Sequence, residues 1–178
     1  AGQLGKQVGA VRIREKDGDE ADYLCLSDAR GVVECVQMGA IEFHGWGSRS
    51  RRLEQPDRVV FDLDPDEALT FADVRKAAQD LKRHLADIGL TSFAMLSGGK
   101  GVHVIVPLRP EAEWDAVTYF AHRFSLALAT AEPARFVATM SKAKRKGRIF
   151  IDWLRNQRGS TAIMPYSARA REGASVAV

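Results

Sequence analysis

Two carboxylates stand two residues apart in Val59-Val60-Phe61-Asp62-Leu63-Asp64-Pro65, inside an otherwise apolar run. Side chains alternate across a strand, so Val59, Phe61 and Leu63 point one way while Val60, Asp62 and Asp64 point the other. Two positions along a strand span roughly 6.5 Å, from which both carboxylates can reach a shared pair of cations about 3.5–4 Å apart. Like charges aimed in one direction from an apolar strand need something to neutralise them. The pair reads as a metal site.

A second group of reactive types lies in Ser97-Gly98-Gly99-Lys100-Gly101-Val102-His103. Glycines let a turn take positive φ and expose backbone N–H groups, which suits close approach of a phosphate. Lys100 supplies a mobile cation at the tip, and Ser97 and His103 flank the turn. Val102, Val104 and Val106 share one face of the returning strand, which leaves His103 on the other. Taken alone, the turn reads first as a structural hairpin with a solvated lysine, since glycine-rich turns are common. It lacks the GxxxxGK[ST] spacing and following helix of a P-loop.

A third group is Arg148-Ile149-Phe150-Ile151-Asp152-Trp153-Leu154-Arg155, where Asp152 interrupts the face it shares with Phe150 and Leu154. A lone strand aspartate is ordinarily an ion-pair partner, with Arg155 or Arg169 as candidates. A two-metal site, however, wants a carboxylate beyond the first pair, and Asp152 fits that role. Residues 142–158 carry Lys142, Lys144, Arg145, Lys146, Arg148, Arg155 and Arg158 against Asp152 alone, a local +6 beside a whole-chain net charge of +3. Part of this is a solvated loop, and part suits a phosphate-backbone track.

The elements that must position these groups follow from periodicity. The chain has 178 residues, 46% hydrophobic and 28% charged, enough for a substantial core without staples. Its mild basic bias is compatible with a polyanionic partner. Cys25 and Cys35 form no CxxC or zinc spacing and read as reduced core residues. No apolar run approaches the ~18 residues of a membrane helix, and no signal peptide is evident; the start at Ala1 suggests a fragment or a processed chain. Strands are expected at 22–26, 40–46, 59–65, 92–97, 102–107, 148–154 and 161–167, with the final residues pairing as an edge strand or fraying. Helices are expected from a Ser27 or Asp28 cap to Met38, from a Thr70 cap to Gly89, and over 113–131. Residues 47–57 read as a polar, Arg-rich loop. This mixed order predicts an α+β fold, with mixed or antiparallel sheets flanked by helices. His84 and His122 are expected at surface or boundary positions, Trp46 and Trp114 in packing roles.

Glu42-Phe43-His44, Asp62-Leu63-Asp64-Pro65, Ser97 to His103, Ile151-Asp152-Trp153-Leu154-Arg155-Asn156 and Tyr166 to Gly173 together resemble the polymerase domain of bacterial DNA ligase D. That domain belongs to the archaeo-eukaryotic primase superfamily, and the likeness spans roughly residues 30–178. It implies a primase-like fold with an RRM-like catalytic core, and one catalytic domain over 1–178. It also implies that part of the family's N-terminal segment is lacking, where aromatics stack on the templating base and lysines grip a 5′-phosphate. Here only Lys6, Arg12 and Arg14 are basic in that region. By the resemblance Asp62, Asp64 and Asp152 are the catalytic, metal-binding carboxylates for two divalent cations, Mn²⁺ favoured over Mg²⁺. Ser97 and His103 match contacts to the incoming triphosphate, Lys100 sits where a further phosphate contact is plausible, and His44 matches a histidine near the bound sugar. Arg155 and Arg169 match basic residues of the site.

The implied activity is template-directed addition of nucleotides, ribonucleotides preferred, to gaps and broken DNA ends in non-homologous end joining. The implied partners are DNA ends or gapped DNA with a 5′-phosphate, nucleoside triphosphates, Ku, and ligase and nuclease modules of a parent protein; the implied setting is the bacterial cytoplasm and nucleoid, not a membrane. Nothing resembles a Ser-His-Asp or Cys-His nucleophile, and none is needed for two-metal chemistry. Three other readings stay open: a stand-alone primase-polymerase, a metal-dependent phosphoesterase or nuclease, and a non-catalytic DNA-end adaptor.

Overall fold

A computed structural model describes residues 5–15 and 18–178, and contacts divide the chain into two compact units, Ala1–Phe43 and His44–Val178. In the first unit, β1 (Val8–Arg14) and β2 (Glu20–Leu26) form an antiparallel hairpin in which Val8 faces Leu26 and Arg14 faces Glu20. The strand β1 is absent from the sequence expectation because its alternation is weak, with Gly9 and Ala10 early in the strand and only Ile13 buried. Lys6, Arg12 and Arg14 are exposed, and Arg12 pairs with Asp22 at 3.0 Å. Helix α1 (Ala29–Gln37) begins at Asp28, whose side chain accepts the N–H groups of Arg30 and Gly31 and satisfies two donors at the helix start. Cys35 is buried and Cys25 half-buried; both are free thiols.

The second unit is built on β6 (Arg58–Pro65). Its sheet has the order β7 (Phe93–Leu96), β8 (Val102–Pro107), β6, β10 (Ile149–Asp152), β9 (Phe136–Val137). Every pairing is antiparallel except that of β10 with β9. Helices α2 (Phe71–Asp87) and α3 (Trp114–Ala131) bury one face of this sheet. Thr70 caps α2 in a reciprocal box with Asp73. Val59, Phe61, Leu63, Val102, Val104, Val106, Ile149 and Ile151 are all buried there with Val74, Leu81, Leu85, Val117 and Ala121. Each large side chain of that layer contributes about 1.5–3 kcal/mol relative to exposure. The opposite alternation leaves Val60, Asp62, Asp64, His103, Phe150 and Asp152 on the other face, as the sequence pattern requires.

Four expected segments differ most from the structure. The strand expected at 40–46 is only β3 (His44–Trp46), because its partner β11 (Thr161–Ile163) has three residues and offers no longer ladder. The expected loop at 47–57 contains a hairpin of β4 (Ser48–Arg49) and β5 (Arg52–Pro56). That hairpin is held from outside: Trp114 Nε1 donates to Leu53 O at 2.7 Å, and Arg158 grips the Glu54 carboxylate. Strand β10 stops at Asp152, where the chain turns into a 3₁₀ turn over Leu154–Asn156. The strand expected over 161–167 ends at Ile163, and Tyr166 takes a positive φ of 65°. The final residue pairs rather than frays: Val178 exchanges two backbone hydrogen bonds with Leu96 on the outer edge of β7.

Trp46 packs edge-on against Trp114 at 6.4 Å, and His122 stacks on Trp153 at 4.2 Å, so both tryptophans expected in packing roles have them. Among the described residues no helix is long and apolar enough to cross a membrane.

Candidate active site

Antiparallel register places three of the singled-out residues in one row. Asp62 on β6 lies opposite His103 on β8 and opposite Asp152 on β10, so the row His103–Asp62–Asp152 crosses three adjacent strands. Asp64 stands one step further along β6, opposite Phe150. Residues about ninety positions apart in the chain thereby become immediate neighbours.

Arg155 offsets part of the negative charge in the row. Arg155, carried by the 3₁₀ turn that follows β10, bridges the two carboxylates: its Nε lies 3.4 Å from Asp62 Oδ2 and 3.3 Å from Asp152 Oδ2. His103 Nε2 approaches Asp62 Oδ2 at 3.5 Å, while its buried Nδ1 has no hydrogen-bond partner among the described residues. Asp152 Oδ1 also accepts the Leu154 N–H at 2.9 Å. Burial opposes ionisation of Asp62, but His103 and Arg155 outweigh it and hold its pKa below the ordinary carboxylate value. Burial raises the pKa of Asp152, and the Arg155 charge and the Leu154 N–H do not fully offset it. Asp64 is raised by burial and by the charge of Asp62, against the opposing pull of Arg145 at 3.9 Å. The expectation that Asp152 pairs with Arg155 or Arg169 is met by Arg155.

The glycine-rich turn joins β7 to β8 beside this row. Gly98 has φ 70°, a conformation that side chains rarely adopt. Gly101 is required by proximity, since a Cβ there would lie 2.7 Å from Leu63 O and 3.4 Å from Asp62 Oδ1. Ser97 Oγ donates to Gly101 O at 3.0 Å and closes the turn, and Arg169 Nη1 donates to Ser97 O at 2.9 Å. Ser175 Oγ donates to Gly98 O, fastening the turn from the other side.

A cleft of about 210 Å³ is lined by Asp62, Asp64, Ser97, Lys100, His103 and Arg155, together with His44 of β3, Thr161 of β11 and Arg169 and Arg171 of the C-terminal segment. Eight of the nine site residues expected from the sequence line it, and the ninth, Asp152, stands behind it in the row and pairs with Arg155. Arg171 and Thr161 were not singled out. Arg171 brings a guanidinium nitrogen within 2.6 Å of the point where a Cβ of Gly99 would stand, and the run Arg169-Ala170-Arg171 was its only sequence signal. Of the basic stretch 142–158, Arg145 lies over the Phe150 ring at 3.8 Å and near Asp64, whereas Arg158 is committed to Glu54 and the Trp46 ring. Lys142, Lys144 and Lys146 are exposed.

Three carboxylates are hard oxygen donors of the kind that hold Mg²⁺ or Mn²⁺, so the residues present fit divalent cations. As the side chains stand, no three acidic, His or Cys groups converge on one point among the described residues, and the Arg155 guanidinium supplies the positive charge between Asp62 and Asp152.

An α+β sheet that gathers acidic residues next to a glycine turn and a cationic wall suits a substrate that is polyanionic and carries divalent metal. The model of the LigD primase-polymerase domain matches residues 2–178, and the chain belongs to that family. It is 46% identical over 162 residues to the multifunctional non-homologous end joining protein LigD of Pseudomonas aeruginosa, covering 91% of this chain and 19% of that protein. The corresponding Mycobacterium tuberculosis protein is 36% identical over 163 residues, covering 87% of this chain and 22% of the relative. The chain thus spans about a fifth of the length of these curated relatives. The polymerase domain of Mycobacterium tuberculosis ligase D, solved in complex with DNA, superposes with a TM-score of 0.91 at 30% identity, covering 99% of this chain and 64% of that one.

Proposed function

We propose that this chain performs template-directed nucleotide addition, ribonucleotides preferred, at gaps and ends of broken DNA during non-homologous end joining. The observation that carries the reading is the row His103–Asp62–Asp152: His103 and Asp62, with Asp64, line the same cleft as the glycine-rich turn and Arg155, Arg169 and Arg171, and Asp152 stands directly behind them. Acidic and cationic groups in one cleft suit a substrate that brings both metal and triphosphate.

Asp62, Asp64 and Asp152 would hold two divalent cations, manganese favoured, with magnesium as the alternative. When bound, such ions supply Lewis-acid stabilisation of charge on the transferring phosphoryl group and lower the pKa of the attacking 3′-hydroxyl. The rest falls to the protein. Lys100, Arg169 and Arg171 present donors to triphosphate oxygens beside the 97–101 turn, the two arginines lying against Gly98 and Gly99. Ser97 and His103 stand on the two stems of that turn, facing the cleft. His103 and Arg155 together hold the pKa of Asp62 down, and Arg155 can pass from carboxylate to phosphate as the substrate enters. His44 lines the cleft from β3, where it suits contact with the sugar. Positioning and electrostatics account for the chemistry, and no covalent intermediate is needed.

The polyanionic partner is DNA, with the exposed Lys142, Lys144 and Lys146 as a track for its backbone. DNA ends with a 5′-phosphate, Ku, and ligase and nuclease modules of a parent protein complete the assembly, in the cytoplasm at the nucleoid. The test is a recessed primer–template with Mn²⁺ and labelled ribonucleoside triphosphates. Elongation is expected from the intact chain and lost in Asp62→Ala and Asp152→Ala. Retained elongation in either variant overturns the reading, shortening of the primer without added nucleotide favours a phosphoesterase, and DNA binding without incorporation under any metal favours an adaptor.

A further inference from the structure

Asn156 is 2% exposed and uses its side-chain amide as if it were a piece of strand. Its Oδ1 accepts the Val60 N–H at 2.7 Å, and its Nδ2 donates to Val60 O at 2.8 Å. The same Nδ2 donates to Trp153 O at 2.8 Å. Val60 precedes Asp62 by two residues on the same side of β6, and β10 pairs with β6 only from Asp62 to Pro65. Asn156 therefore takes over where β10 leaves the sheet, satisfying both backbone groups of Val60 that a continuing strand would have engaged. Its own carbonyl is held in turn by Thr118 Oγ1 of α3 at 2.5 Å.

Arg155 is the residue next to this clamp. A 3₁₀ turn tied to Val60 on one side and to Asp152 on the other, through the Leu154 N–H, has little freedom left. We infer that Asn156 is a positioning residue: by pinning the turn to β6 it aims the Arg155 guanidinium at Asp62 and Asp152 and so sets the charge balance of the acidic row. The inference rests on the functional reading above. A leucine or alanine at this position would leave the Val60 N–H and C=O buried and unpaired, which is why an amide stands there.

The decisive variant is Asn156→Asp, which keeps the shape and one acceptor but loses both Nδ2 donations. Fold is checked by circular dichroism. The direct readout is the Arg155 Nε–H signal in a ¹⁵N-resolved NMR spectrum, which a purely structural role would leave in place. Asn156→Asp is expected to move that signal toward the free-guanidinium position while the β8 backbone signals stay. Nucleotide incorporation should fall at least about tenfold, toward the roughly 100-fold that a 1 Å misplacement can cost. Arg155→Met should fall comparably, and the double variant no further than Arg155→Met alone, because both changes remove one interaction. An unmoved Nε–H signal, wild-type incorporation in Asn156→Asp, or losses that multiply in the double variant overturn the inference. Should Asn156→Asp fail to fold, Thr118→Val releases only the Asn156 carbonyl and must shift the same signal; an unshifted one overturns it equally. Failure of the functional reading would look different, since the parent chain would then incorporate no nucleotide or Asp62→Ala would retain incorporation.

Discussion

The two faces of the five-stranded sheet are made by the same strands and obey opposite rules. On the helix-covered face Phe61, Leu63 and Ile151 are each 0% exposed and pack in the apolar cluster with α2 and α3. On the other face, one residue away along the same backbone, Asp62 and Asp152 are nearly as buried, at 7% and 8%, yet carry charge. Burial is therefore not what separates them. The apolar face gains free energy from exclusion of water, while the acidic face spends some of it, since Asp64 and Asp152 sit above their ordinary pKa. One layer holds the strands in register, and that register lets the other layer keep like charges together.

The contrast can be broken at several places, with effects of decreasing size. Asp62→Ala and Asp152→Ala should each cut nucleotide incorporation by at least about 1,000-fold, roughly 4 kcal/mol of barrier, with the protein still folded by circular dichroism. Phe61→Ala, on the opposite face, should do the reverse: chemical denaturation should show a loss of about 3–5 kcal/mol, with incorporation per folded molecule retained. Lys100→Ala touches neither layer, because Lys100 is exposed at the turn. It should raise the KM for the nucleoside triphosphate by about tenfold, the scale of one hydrogen bond to a charged group, and leave the melting temperature unchanged.

A smaller effect has the opposite sign. Asp152→Asn removes a charge that burial disfavours while keeping an oxygen for the Leu154 N–H. In EDTA it should melt a few degrees higher than the parent, the shift that about 1 kcal/mol produces in a chain of this size, although it incorporates nothing. The pH dependence follows. A carboxylate whose folded pKa is raised binds its proton more tightly when folded, so its destabilising charge is present at neutral pH and is relieved as pH falls through the raised value. The advantage of Asp152→Asn over the parent should thus be largest near pH 7 and shrink on acidification. Asp62 runs the other way. Its lowered pKa contributes stability above the ordinary carboxylate range and loses it only at lower pH, so Asp62→Asn should show no such gain.

Much of the second unit was legible because its strands alternate cleanly. Val59 to Asp64 and Val102 to Val106 separate apolar from polar side chains so sharply that face and register follow. The motifs Asp-Leu-Asp, Ser-Gly-Gly-Lys-Gly and Ile-Asp-Trp supplied most of the cleft. Strand β1 was illegible because its alternation is weak, and the β4–β5 hairpin because distant partners hold it: Trp114 and Arg158 around Leu53 and Glu54. The parallel pair β9–β10 rests on two residue pairs and leaves almost no local signature. Arg171 was hidden among other arginines, and Asn156 looks like an ordinary turn residue until Val60 is seen beside it.

The Asn156–Val60 amide bonds join residues 96 positions apart, and the Asp62–Asp152 contact is almost as remote. Loops of that length close late, because their entropy is lost before any contact repays it. Helical signal during refolding should accordingly recover before catalytic competence, so that a nascent or partly unfolded molecule carries every reactive side chain and none of their chemistry.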